Sequence, residues 1–183
     1  MALTRARVIS ASPAFREKIE ALIRSVLTRP RDAASTAGDV ADMRKAIALE
    51  KGEDDIWDLK LAAGGLVDID FIAQYLQLVH ASRKPEILSV STLQVLDNAA
   101  RLGVLPQSDA EILRSATRLY HDLTQILRLC LAGPFDAKTA GAGLLRLLAR
   151  AADVPDFATL DVTLIETQAK VRASFVRILG KAP

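Results

Sequence analysis

A chain of 183 residues, 50% of them hydrophobic, is long enough to bury a core without staples, and its single cysteine, Cys130, excludes both an internal disulfide and a Cys-rich metal centre. A formal charge of +2, carried on scattered Lys and Arg, is too weak a footprint for nucleic acid, and no apolar run approaches the ~18 residues of a membrane span. Aromatic residues are only 4% while Leu and Ala dominate, so the expected fold is all-α, a helical bundle of about seven helices.

Ser12-Pro13 reads as a cap followed by an N1 proline, and Phe15, Ile19, Leu22, Ile23, Val26 and Leu27 then recur at helical spacing, predicting a helix over about 13–28. A second helix is expected from about Asp39 to Glu50, with Val40, Met43 and Ile47 on one face and Gly52 closing it. From about Val67 to Ala81 little polar surface remains, as expected for a helix surrounded by others at the centre of the bundle. Arg83-Lys84-Pro85 ends it, and a helix of about 91–102 stops at Gly103. Ser108-Asp109-Ala110-Glu111 reads as a capping box for a long helix reaching about Leu131, where Gly133-Pro134 terminates it. A Leu-rich helix follows over about 141–152. Asp156 is expected to cap the last one, which turns Leu160, Leu164, Val171, Phe175 and Leu179 inward until Gly180.

Local rules and ordinary packing disagree in one place, the run from Trp57 to Tyr75. Gly64-Gly65 offers nothing to bury and costs backbone entropy, so its use before an apolar helix predicts a close backbone approach or a positive φ. Asp68-Ile69-Asp70 invites a metal-binding D-x-D reading, but on a helix residues two apart point roughly 200° from each other and cannot share one ion. The competing structural reading is that acids in a first turn offset the positive helix end and accept free N–H groups. Lys60, the glycine turn and the helix start together form a place where a phosphate could rest. Lys60, Gly64 and Gly65 are therefore the candidates for contributing to an anion pocket, short of the full phosphate-binding loop. His80 and His121 read as surface or satisfied core histidines, and Cys130 as a small buried hydrophobe. No catalytic set and no metal site is read within these residues. Arg5, Arg7, Arg16 and Glu17 stand where a secretory apolar segment would lie, and the expected compartment is the cytoplasm.

The run Trp57-Asp58-Leu59-Lys60 with Gly64-Gly65-Leu66-Val67-Asp68-Ile69-Asp70-Phe71-Ile72-Ala73-Gln74 resembles the glutamine synthetase adenylyltransferase family. In that family a lysine, Gly-Gly-Leu, an acid, an aliphatic residue, a second acid, Phe and Gln occur in the helical domain that follows each nucleotidyltransferase domain. Lys60, Gly64, Gly65, Leu66, Asp68, Ile69, Phe71 and Gln74 take those positions, and Asp70 stands where the family usually has Glu. Ala2 to Arg7 and Cys130 to Asp136 extend the likeness toward both ends, and the form of the run is more like the enzyme's C-terminal half.

The resemblance implies one helical domain over residues 1–183, with 1–11 the remnant of a linker from a missing nucleotidyltransferase domain. The full-length enzyme so implied transfers AMP from ATP, with Mg²⁺, to a tyrosine of glutamine synthetase and removes it by phosphorolysis. Its implied partners are glutamine synthetase, the PII signalling protein and its own nucleotidyltransferase domain, with no nucleic acid or membrane. The isolated chain is expected to be inactive, with Lys60, Gly64 and Gly65 on one wall of the neighbouring domain's nucleotide cleft, facing the ATP phosphates, and Arg5, Arg7, Asp68, Asp70 and Gln74 at the domain junction, the two acids orienting basic groups such as Arg5 or Arg7. The rival expectation is a non-catalytic module that docks glutamine synthetase or PII.

Overall fold

Seven helices follow one another in a computed structural model that describes residues 1–180: α1 (Pro13–Leu27), α2 (Ala33–Lys51), α3 (Leu66–His80), α4 (Thr92–Arg101), α5 (Gln107–Cys130), α6 (Ala142–Ala151) and α7 (Phe157–Leu179). Two 3-10 turns, Ala2–Arg5 and Pro85–Ile87, complete the order, and no strand occurs among the described residues. The all-α expectation holds.

Helix α3 is the hub. It packs on α2, α4, α5 and α7, and Ile69, Phe71, Ile72, Ala73, Leu76 and Leu78 are all buried. Helix α7 closes the other side, burying Leu160, Leu164, Val171, Phe175 and Leu179 against α3, α5 and α6, as its spacing predicts. Each such side chain contributes about 1.5–3 kcal/mol, which makes this contiguous core the main stabilising element.

Local chemistry accounts for most helix ends. Asp32 accepts from the Ser35 N–H at 2.7 Å, Ser91 from that of Gln94 at 3.5 Å and Asp156 from that of Thr159 at 2.8 Å. Helix α2 therefore begins at Ala33, a turn and a half before the apolar pattern shows itself. Two other expectations are overturned. Helix α5 starts at Gln107 after Pro106 with no side-chain cap: Ser108 already lies inside the helix, and Glu111 accepts from the Gln107 side chain at 3.0 Å instead of closing a capping box. Cys130 is exposed at the end of α5, where the helix has run past its neighbours and Leu129 beside it is also bare.

Helix α1 keeps close company only with the Ala2–Arg5 turn. Of its apolar positions Leu27 alone is buried, while Phe15 and Leu22 are each 58% exposed. Among the described residues no helix is long and apolar enough to cross a membrane.

Candidate functional site

The glycine pair lies on the turn that joins Trp57 to α3, and the turn is fixed at three points against α7. Trp57 stacks on Phe157 with ring centroids 5.4 Å apart, touches Phe135 at 4.6 Å, and donates its indole N–H to Asp161 at 3.0 Å. Gln168 donates its side-chain amide to the Ile56 carbonyl at 2.8 Å. Gly64 then meets the backbone of the same Gln168: a Cβ on Gly64 would stand 2.0 Å from that carbonyl oxygen, and the residue has φ +82°. Both physical reasons for glycine therefore apply at Gly64. At Gly65 a Cβ would come within 2.9 Å of the Leu59 and Ala62 carbonyls, so the second glycine is needed for closeness to its own turn.

Beneath this corner sits a buried ion network. The Asp68 carboxylate has no solvent exposure; it accepts from Arg44 Nε, from Arg172 Nη1 at 3.2 Å and from the Gly64 N–H at 2.7 Å. Arg44, itself buried, also donates from Nη2 to the Leu61 carbonyl at 3.1 Å and pairs with Glu53 at 2.8 Å. Arg44 Nη1 has no hydrogen-bond partner, and the contact with Glu53 Oε2 is a charge pair without hydrogen-bond geometry. Tyr120 closes the far side by donating to the Gly64 carbonyl at 3.1 Å. Burial, with the negative charge of Asp68 behind it, pushes the Tyr120 phenol above its ordinary range, so it stays a donor. One acid thus ties α2, α3 and α7 together through two guanidiniums.

The sequence-derived candidates separate in space. Gly64 and Gly65 are buried, and Lys60 alone of the three turns an exposed side chain outward. The N–H groups that begin α3 are taken internally: Gly65 by Ala62, Leu66 by Leu59, Val67 by Lys60, and Asp68 and Ile69 by Gly65. An outside phosphate finds no free donor at that helix start, which corrects the anion-rest reading of the corner.

Asp68 and Asp70 point apart, as helical geometry requires. Asp70 accepts from Arg5 and, at 2.7 Å, from the Thr92 hydroxyl, which itself accepts from Arg5 Nη2 at 2.6 Å. Asp68 orients Arg44 and Arg172 instead of Arg5 or Arg7. Arg7 is exposed and makes no ion pair among the described residues, and Gln74 is half-buried one turn beyond Asp70. Arg44 and Arg172 were not singled out by sequence reasoning. Their signal was an arginine on the inward side of each helix: Val40, Ala41 and Arg44 share a face of α2, and Arg172 follows the buried Val171.

A second buried acid, Asp109, receives the Ser174 hydroxyl at 2.7 Å together with Arg177 Nε at 3.3 Å and Nη2. Burial alone would raise its carboxyl; the Arg177 and Ser174 hydrogen bonds and the Arg177 charge outweigh that and hold it below the ordinary range. Neither acid is free to bind an ion, and no cluster of three or more His, Cys, Asp and Glu able to hold a metal occurs among the described residues.

The chain is 71% identical over 98% of its length to the bifunctional glutamine synthetase adenylyltransferase/adenylyl-removing enzyme of Rhodopseudomonas palustris (strain BisB5), and spans 18% of that protein. It is 68% identical to the Bradyrhizobium diazoefficiens protein of the same name over 100% of the chain, and 54% identical to the Xanthobacter autotrophicus one over 100%, again 18% of each. The chain thus spans less than a fifth of the length of the curated relatives it matches, and their shared name is that of the family its glycine run resembles. Residues 41–174, which hold α3 to α5 and the whole Asp68 network, match the family model described as GlnD PII-uridylyltransferase, and the chain belongs to that family.

Proposed function

We propose that this chain is a helical domain of a much longer enzyme that adenylylates and deadenylylates glutamine synthetase in the cytoplasm, and that it packs on a nucleotidyltransferase domain and completes one wall of its ATP cleft. The observation that carries this reading is identity of 66–71% across essentially the whole chain to relatives bearing that activity in their names. ATP and Mg²⁺ belong to the other domain in this reading. The acids here do not fit a metal, since Asp68 and Asp70 are committed to guanidiniums, and no step of the chemistry is assigned to them.

What this domain offers is rigidity and one cation. The turn carrying Lys60 is held by Trp57, Gln168 and Gly64 against α7, so an exposed ammonium is presented from a fixed base. In the full-length enzyme Lys60→Ala is expected to raise the KM for ATP and lower the adenylylation rate by about fivefold, the equivalent of ~1 kcal/mol of charge interaction near a surface. Thermal unfolding should be unchanged, since the side chain buries nothing. An unaltered rate removes Lys60 from the cleft.

A second reading, docking of glutamine synthetase or PII by this domain, is favoured by the exposed Phe15 and Leu22 on α1. Retention of either protein by the chain, abolished by Phe15→Asp with Leu22→Asp and indifferent to ATP, would select it.

A further inference from the structure

Helix α7 has a second apolar face on the side opposite the core. Ala158, Val162, Ile165, Ala169, Ala173 and Val176 are all exposed, Val162 at 57% and Ile165 at 51%. At ~100° per residue these positions fall within about 80° of one another, in a row that no charged residue interrupts. The side of a surface helix that meets water ordinarily carries charged and polar residues. Steps of three and four residues, with Ala169 and Ala173 toward the middle of the row, suit a second helix seated at ~8 Å. Asp161, Glu166, Lys170 and Arg177 border the row with both signs of charge, the polar rim of a protein contact.

We infer that a helix from the part of the polypeptide lying outside this chain occupies this seam in the full-length protein. The inference rests on the reading of the chain as one domain of a longer enzyme. Two observations select this occupant. The matched relatives devote only 18% of their length to this domain, so most of the polypeptide is available to cover it. The seam is also small: from Ala158 to Val176 it runs about 27 Å, and a helix about 10 Å wide laid along it covers a footprint of roughly 300 Å². A free-standing dimer buries about 1,200–2,000 Å² in total, whereas a tethered element needs far less because the linker holds it at roughly millimolar effective concentration.

Cysteine accessibility tests this in full-length protein stripped of native cysteines, including Cys130→Ser. Maleimide should label Ile165→Cys and Val162→Cys at least tenfold more slowly than Lys170→Cys on the rim, in a protein that sedimentation shows to be monomeric. Equal rates overturn the inference. Slow labelling confined to a dimeric fraction overturns it in favour of a second copy, and slow labelling only after glutamine synthetase is added overturns it in favour of that partner. Labelling reads contact and not catalysis, so it can succeed while Lys60→Ala fails to alter adenylylation, and the reverse.

Discussion

Gly64 shows how much one missing methyl can decide. With φ +82° and the Gln168 carbonyl where a Cβ would be, Gly64→Ala must move α7 or unwind the turn, at an expected cost above ~2 kcal/mol. Gly38 is the internal control: it lies inside α2 with nothing within 4 Å, and Gly38→Ala should stabilise by about 0.5–1 kcal/mol through helix propensity. Urea denaturation of the two variants should move in opposite directions; a neutral Gly64→Ala would contradict the close approach. That glycine was legible because its conformational cost is local. The partners of Asp68 were not, because Arg44 and Arg172 stand far from it in the chain and nothing in the intervening residues fixes their distance.

Among whole elements, α1 stands apart from the rest. The structure rests it on the Ala2–Arg5 turn, with Arg16 Nη1 reaching the Val8 carbonyl at 2.8 Å, and leaves Phe15 and Leu22 bare and Ile19, Ile23 and Val26 only half-buried. In this chain alone, amide hydrogen exchange should therefore be at least tenfold faster in α1 than in α3, whose residues lie under four other helices. Equal protection would mean that α1 is held more firmly than its contacts indicate. Apart from the start of α2, where the Asp32 cap went unread, the other elements were readable to within a residue or two, as Asp156 and Gly180 allow for α7. Reading failed where a cap motif fell inside a helix already begun: Ser108 and Glu111 have capping-box spacing, but α5 starts one residue earlier at Gln107, and the neighbouring Asp109 is held by Ser174 and Arg177.

The molecule as a whole should be acid-sensitive, and Asp109 gives the sign. Its folded carboxyl is depressed, so the stability it contributes is fully present above the ordinary carboxylate value of 3.8 and is lost as pH falls through and below it. His80 adds to the same trend from higher pH. Burial first, then Lys84 and Arg83, hold its imidazole below 6.5, so protonation costs stability as pH falls past that value. Chemical denaturation from pH 8 to pH 2 should show a falling midpoint with a shallow limb near pH 6 and a steeper one below about pH 4. Asp109→Asn should flatten the lower limb and His80→Gln the upper.

The lock around Gly64 also has a consequence in time. Gln168 and Arg172, which seal the diglycine corner and complete the neutralisation of Asp68, leave the ribosome after α1 to α6 of this domain have been made. Until then the half-synthesised bundle carries an acid with one guanidinium where two are required and an open flank along α3, α5 and α6. The centre of this domain therefore cannot close until α7 has emerged, and a product cut short before α7 would be left to quality control.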